Sequence, residues 1–115
     1  MDAICKRKTR TMKTLNDYID SIYLINLEKR PDKLQDSLFE LHEIGAKAQI
    51  VYAVDGTLLD LNQQISAGAY GLLLTHIQIL EDAISKNYNS ILILEDDIMF
   101  TGDFMKRFEA KINHL

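Results

Sequence analysis

The sequence predicts an α/β protein in which three strands and three helices alternate in the order β-α-β-α-β-α. Three short apolar runs of strand length occur along the chain, and a longer segment with helical periodicity follows each of them. The third run is uninterrupted, which is typical of a strand covered on both faces of a parallel sheet. Right-handed crossovers bring the carboxyl ends of such strands to one edge, where ligands bind.

The first strand and the first helix have the clearest signals. An apolar run rich in strand-forming residues extends from Ile22 to Ile25. Pro31 follows at a position where a first helical turn tolerates proline, and Gly45 is a typical helix end. Between them, apolar side chains recur at helical spacing, namely Leu34, Leu38, Leu41 and Ile44.

The second strand is expected at Ala48–Val54, and the turn dipeptide Asp55-Gly56 ends it. Residues 57–68 show no periodicity and are expected to be irregular. A long helix then follows. Its apolar stripe contains Leu72, either Thr75 or His76, Ile79, Ala83 and Ile84.

The third strand and the last helix complete the pattern. Four consecutive aliphatic residues, Ile91–Leu94, form the strand, and acidic residues follow it at once. The last helix begins after Gly102 and Asp103. Its apolar stripe consists of Phe104, Phe108 and Ile112.

Composition restricts the classes of function. The chain has 115 residues, a net charge of −4 and 47% hydrophobic residues, which suit one globular domain. Its single cysteine excludes a disulfide framework and a cysteine-rich zinc site. Residues 14–115 carry 8 basic and 16 acidic side chains, so no nucleic-acid partner is expected. No apolar run approaches the ~20 residues of a transmembrane helix, so no such segment is expected and the cytoplasm is the default location.

The N-terminus has the opposite charge. Residues 1–13 carry five basic side chains and one acidic side chain, without the apolar run of a secretory signal. We therefore expect a basic flexible arm over residues 1–18 and a folded domain over residues 19–115. The alternative role for the arm is weak contact with an anionic membrane surface.

Three adjacent carboxylates, Glu95, Asp96 and Asp97, follow the third strand and repel one another. A divalent cation such as Mg²⁺ or Mn²⁺ is a natural partner, because it takes one or two protein carboxylates together with phosphate oxygens of a substrate. The alternative is a solvated acidic turn before the last helix. Arg30 stands at a helix N-terminus, where a phosphate is favoured, or is simply solvated. His76 belongs either to a site or to the core.

Four blocks of sequence resemble glycosyltransferase family 25. They are IYLINLEKRPDKL from Ile22, AVDG from Ala53, GAYGLLLTHIQIL from Gly68 and ILILEDD from Ile91, and together they cover about residues 20–102. The family includes bacterial lipooligosaccharide sugar transferases, which act in lipopolysaccharide biosynthesis, and collagen hydroxylysine galactosyltransferases.

The resemblance implies a GT-A type fold with a Rossmann-like parallel sheet. It also implies inverting transfer of galactose or glucose from a UDP-sugar to a hydroxyl of a saccharide or hydroxylysine acceptor, with Mn²⁺ or Mg²⁺ as the cofactor. Asn26 and Leu27 would line the nucleotide pocket, Arg30 would approach the diphosphate, and Asp96 and Asp97 would hold the metal. The other donor-binding positions implied are Asp55, Gly56, Gly68, Gly71, His76 and Glu95.

The chain departs from the family pattern in two ways. The block that usually reads like GEIGCxxSH is GAYGLLLTH here, so Ala69 replaces an acidic residue and Thr75 replaces a serine. The length also suggests the N-terminal, donor-binding half of a truncated transferase, for which no general base is evident. The alternative is a non-catalytic remnant that binds a nucleotide-sugar or a partner, with self-association through an uncovered sheet edge.

Overall fold

A computed structural model describes residues 13–56 and 66–114 of the chain. A single helical turn precedes the first strand, and three strands then alternate with three helices. The elements are α1 (Leu15–Tyr18), β1 (Ser21–Asn26), α2 (Pro31–Glu43), β2 (Gln49–Tyr52), α3 (Ala67–Ser85), β3 (Ile91–Glu95) and α4 (Phe104–Ile112). The predicted order β-α-β-α-β-α is therefore confirmed.

The three strands form one parallel sheet in the order β2-β1-β3. Tyr23 pairs with Gln49 on one side of β1, and Ser21 pairs with Ile91 on the other. All six residues of β1 are buried, as expected for a central strand with helices on both faces. The predicted α/β class with a parallel, Rossmann-like sheet is confirmed.

The prediction that the third strand is covered on both faces is confirmed, since Leu92 and Leu94 pack against the core on one face of the sheet, and Ile91 and Ile93 pack against the core on the other. Ile91–Leu94 are nevertheless only half-buried, because β3 pairs with β1 alone within the described residues. The uninterrupted apolar run signals a strand, but it does not signal the place of that strand in the sheet. The fully buried strand is β1.

Alternate residues of β1 face two separate parts of the core. Ile22 and Leu24 contact α1, α2 and α4 through a cluster that includes Leu15 and Leu41. Tyr23 and Ile25 face the opposite side, where Ile79 of α3 covers them. The sheet thus lies between α3 on one face and the other three helices on the other.

Part of the predicted flexible arm belongs to the folded domain. Leu15 has no exposed surface, and Asn16 exchanges two hydrogen bonds with the backbone of Lys47, at 2.9 and 2.7 Å. The boundary expected at residue 18 therefore needs correction, because burial of Leu15 ties α1 to the core. Residues 1–12 lie outside the described part of the chain.

The helix and strand ends agree with several turn signals. Helix α2 begins at Pro31, and the chain leaves it through Gly45, whose φ of 70° favours glycine. Strand β2 is shorter than the expected Ala48–Val54, although the Ala53 N–H still donates to the Asn26 carbonyl at 2.9 Å. Most of the expected irregular segment, residues 57–65, lies outside the described residues.

Helix α3 buries a narrow stripe of small and aliphatic side chains. Of the two alternatives for that stripe, Thr75 is fully buried and His76 is half-buried. Ile84 was expected on the buried face, but it is 75% exposed. The error arises because α3 is apolar nearly all round, with Leu73, Ile77 and Leu80 also exposed. Even so, none of the described helices is long and apolar enough to cross a membrane.

A partly buried hydrogen bond links α3 to the central strand. The Tyr23 hydroxyl donates to Asp82 Oδ2 at 2.6 Å, and Lys86 forms an ion pair with the same carboxylate at 3.0 Å. Burial, followed by this hydrogen bond, raises the pKa of Tyr23 to about 12. The bond from Tyr23 is also the main cause of the lowered pKa of Asp82, with Lys86 adding to it.

We expect Tyr23→Phe to raise the pKa of Asp82 toward the ordinary value of 3.8. A carboxyl whose pKa is lower in the folded state stabilises the protein above its unfolded-state pKa, and this contribution is lost as the pH falls through the folded-state value. Carboxyl titration by NMR measures the shift. Tyr52→Phe is the control, since Tyr52 is 51% exposed on β2. An unchanged titration of Asp82 in Tyr23→Phe would contradict the assignment.

Candidate active site

A cavity of about 300 Å³ lies at the carboxyl edge of the sheet. The ends of all three strands and the first turns of α3 form its walls, which is where parallel α/β sheets bind ligands. Six of the residues implied by the sequence line it, namely Leu27, Asp55, Gly56, Gly68, Glu95 and Asp96. The volume is at the lower end of the range for small-molecule sites.

Strand pairing explains why distant residues meet here. Ile25 at the end of β1 pairs with Glu95 of β3, and the next residue, Asn26, pairs with Tyr52 of β2. All three strands are parallel, so the segments that leave them emerge side by side. The acidic triplet and the Asp55-Gly56 turn therefore stand on two sides of the loop that follows β1.

Asn26 connects the first strand to the acidic triplet. Its side chain is 1% exposed, and Nδ2 donates to Asp96 Oδ2 at 2.8 Å and to the Arg30 carbonyl at 3.1 Å. Both partners are acceptors, which sets the orientation of the amide. Oδ1 of Asn26 is buried and has no hydrogen-bond partner among residues 13–56 and 66–114. Asn26 thus holds the Asp96 carboxylate at the edge of the cavity.

The three carboxylates are not equivalent. Glu95 and Asp96 line the cavity, whereas Asp97 is exposed and does not line it. No group of three or more potential metal-ligating side chains exists in the part of the chain that the structure describes. A pair of carboxylates fits an ion that takes its remaining ligands from a bound phosphate, rather than a closed protein cage. Lys29 adds a positive charge to the same cavity wall.

Arg30 stands at the N-terminal end of α2, as expected, but its guanidinium contacts Asp32. The Nε–Oδ1 and Nη2–Oδ2 distances are 3.0 and 2.8 Å. This hydrogen bonding lowers the pKa of Asp32 to about 2. The two side chains are 44% and 64% exposed, so the pair contributes little to stability and can open at small cost.

The wall formed by residues 53–56 packs closely against α3. A Cβ atom placed on Gly71 would lie 2.3 Å from the Val54 carbonyl oxygen. One placed on Gly56 would lie 1.6 Å from the Ala67 carbonyl oxygen. These glycines allow the two backbones to touch. Gly68 differs, because a Cβ atom there would meet nothing within 4 Å.

Comparison with known protein families gives a match that includes the residues at this edge. A family model described as glycosyltransferase family 25 (LPS biosynthesis protein) matches residues 19–115, most of the chain. The chain belongs to glycosyltransferase family 25. Its acidic triplet and its Asp55-Gly56 turn both fall within the matched range.

Several curated relatives of this family 25 chain are similar to it at low identity. The human protein named inactive glycosyltransferase 25 family member 3 is 27% identical over 109 residues, and the match covers 78% of this chain. Human procollagen galactosyltransferase 2 is 28% identical over 115 residues, covering 84%. A glycosyltransferase 25 family member of Aedes aegypti is 29% identical over 108 residues, covering 77%.

The family 25 chain matches only a small part of these relatives. Each match covers 18% of the relative's length, so the chain spans less than a fifth of those proteins. No solved structure matches the chain.

His76 of the family 25 chain lies on α3 outside the cavity lining. Its Nδ1 atom is 2.9 Å from the Leu72 carbonyl oxygen. A carbonyl only accepts hydrogen bonds, so Nδ1 carries the proton and Nε2 of the neutral ring is left as an acceptor. The ring is half-buried, which places it outside the deep core.

We expect His76→Leu to lower the affinity for UDP a few-fold without lowering the melting temperature. Leucine keeps the apolar packing, but the variant loses the hydrogen bond to the carbonyl of Leu72, a residue that lines the cavity. Calorimetry with UDP and a thermal melt measure the two quantities. His42→Leu is the control, since His42 is exposed near the end of α2. A higher melting temperature with unchanged affinity would assign His76 to the core alone.

Sequence reasoning missed several residues that build the site. Lys29 and Leu72 line the cavity, and Thr75 bonds to its wall. Lys29 lies within the first resembling block, so its position and its charge are the signals in the sequence that indicate a role at the site. Thr75 is expected either in the apolar stripe of α3 or as a replacement for a serine, but the sequence does not show what its hydroxyl contacts.

Proposed function

We propose that the chain binds a UDP-hexose at the carboxyl edge of the sheet, as the donor-binding part of a hexosyltransferase. The observation that carries the proposal is the convergence of Leu27, Asp55, Glu95 and Asp96 on one cavity, with Asp96 held by Asn26. Membership of glycosyltransferase family 25 supports the reaction class. The relatives named procollagen galactosyltransferase support galactose as the sugar.

The proposal assigns separate tasks to the residues around the cavity. Leu27 and Leu72 offer apolar surface to the nucleoside, while Lys29 offers a positive charge to the diphosphate. Arg30 would reach the same phosphates after leaving Asp32, which its exposed position allows at small cost. Asp55 and Gly56 would border the sugar on the opposite wall.

The proposed cofactor is Mn²⁺ or Mg²⁺, held by Asp96 and Glu95 together with the donor diphosphate, whereas Asp97, which does not line the cavity, is left out of the proposed ligand set. When bound, such an ion supplies neutralisation of the charge on the leaving diphosphate. The amide of Asn26 would orient the Asp96 carboxylate for this task. The proposed transfer inverts the anomeric centre and is directed to a hydroxyl of a saccharide or of hydroxylysine.

Calorimetry with UDP in the presence and absence of Mn²⁺ tests the binding step. UDP is expected to bind more tightly with the ion, because two carboxylates alone are too few ligands for a closed site. A transfer assay with UDP-galactose and a hydroxylysine peptide or a saccharide tests the reaction. Equal affinity for UDP in both conditions would contradict the metal, and no binding of UDP at all would contradict the donor site.

A second candidate function is binding without transfer. One similar human protein and one similar rat protein have the word inactive in their names, which favours this alternative for part of the family. In this case we propose that the chain self-associates through a sheet edge, since β2 and β3 each pair only with β1 in the described residues. Sedimentation over a range of protein concentrations would show association, and UDP binding without transfer would support this candidate.

A further inference from the structure

The cavity wall at residues 53–56 is bonded to a side chain that does not itself line the cavity. Thr75 lies on the buried face of α3 and has no exposed surface. Its hydroxyl accepts a hydrogen bond from the Val54 backbone N–H at 2.9 Å and donates one to the Gly71 carbonyl at 2.8 Å. A single buried hydroxyl therefore joins the helix to the wall of the site.

The two hydrogen bonds define what the hydroxyl does. A backbone N–H only donates and a carbonyl only accepts, so Oγ1 must accept from Val54 and donate to Gly71. Val54 lies two residues beyond Tyr52, the last residue of β2. Its N–H is therefore outside the hydrogen-bonded part of that strand. Without an acceptor at this point, a backbone donor next to the core would remain unsatisfied.

The same region contains a close backbone contact between wall and helix. Gly71, one turn before Thr75, stands where a Cβ atom would lie 2.3 Å from the Val54 carbonyl and 2.9 Å from the Gly56 nitrogen. The glycine lets the wall come close, and the hydroxyl holds Val54 at that distance. Asp55 and Gly56 follow Val54 directly and line the cavity.

We infer that Thr75 is a positioning residue of the donor site. Through its hydroxyl it holds Val54, and thereby places Asp55 and Gly56 at the cavity, without contacting the ligand. The inference rests on the proposed function, because it assigns Thr75 to the UDP site. The hydroxyl, rather than the volume of the side chain, is the feature that matters.

Two variants separate the hydroxyl from the packing. Thr75→Val keeps the shape and removes both hydrogen bonds, whereas Thr75→Ser keeps the hydroxyl and removes only a methyl group. In Thr75→Val we expect the Val54 amide to exchange with solvent about fivefold faster, and UDP to bind about tenfold more weakly. In Thr75→Ser both quantities are expected to stay near those of the unsubstituted chain. Amide exchange by NMR and calorimetry with UDP provide the measurements.

The outcomes distinguish this inference from the proposed function. Equal loss of UDP affinity in both variants would assign Thr75 to packing and overturn the inference, as would unchanged affinity in Thr75→Val. Absence of UDP binding in the unsubstituted chain would defeat the proposed function, while exchange at Val54 would still report whether the hydroxyl holds the wall. If Thr75→Val does not fold, the inference is tested by titrating the unsubstituted chain with UDP. The Val54 and Gly56 amide signals are then expected to shift, and unshifted signals would overturn the inference.

Discussion

Asp96→Asn is expected to weaken Mn²⁺-dependent binding of UDP by roughly a hundredfold, a larger loss than that caused by any other substitution in the triplet. Asp96 lines the cavity and accepts a hydrogen bond from Asn26 at 2.8 Å. The substitution removes the negative charge but keeps an oxygen that can accept from Asn26. The fold is therefore expected to persist, and the loss of affinity is expected to appear only when Mn²⁺ is present.

Asp97→Asn is the matched control for this experiment. It removes the same charge one residue further on, where the side chain is exposed and does not line the cavity. A smaller loss of UDP affinity is expected, measured by calorimetry with and without Mn²⁺ and accompanied by a thermal melt. If both variants unfold, the triplet has a structural role. If neither changes the effect of Mn²⁺, the proposed metal site is wrong.

Gly71→Ala is expected to lower the free energy of unfolding by about 3 kcal/mol, near the upper end of the usual cost of overpacking. The new Cβ atom would lie 2.3 Å from the Val54 carbonyl oxygen, which is a backbone atom and cannot rotate away. Either α3 or the wall at residues 53–56 must then move. Urea unfolding measures the change in stability, and loss of UDP binding would accompany displacement of the wall.

Gly68→Ala provides the opposite case on the same helix. A Cβ atom at Gly68 meets nothing within 4 Å, although the residue lines the cavity. Alanine is the better helix former by about 1 kcal/mol, so this variant is expected to be as stable as the unsubstituted chain or slightly more stable. Equal destabilisation by both substitutions would show that helix propensity, rather than contact with Val54, explains the need for Gly71.

The sequence predicts those features of the fold that are encoded locally. Strand β1 is recognisable as an apolar run, and Pro31 and Gly45 mark the ends of the following helix. Sheet order is different, because an apolar run such as Ile91–Leu94 does not state how many neighbouring strands it has. The exposure of Ile84 was missed for a related reason, since a helix that is apolar nearly all round has no clear inner face.

The candidate site was predictable to a similar degree. Parallel strands with shared carboxyl ends place Asp55 and Asp96 at one edge, and the structure finds both in one cavity. The bond from Asn26 to Asp96 spans 70 residues and depends on the pairing of β1 with β3, so no local pattern contains it. Whether Thr75 or His76 faces the core likewise depends on how α3 is rotated about its axis. Helical periodicity does not distinguish between these two neighbouring positions.

The central place of β1 has a consequence for synthesis of the chain. Gln49, the partner of Tyr23, follows it by 26 residues in the chain. Ile91, the partner of Ser21, follows it by 70 residues. At ~5–20 residues per second on the ribosome, that second interval is roughly 4 to 14 s. One edge of the most buried strand thus emerges well before its partner exists, and the backbone groups of that edge are open to pairing with other nascent chains. Early docking of α1 and α2 against Ile22 and Leu24 would cover one face of β1 sooner. The edge of β1 that later pairs with β3 would remain unpaired.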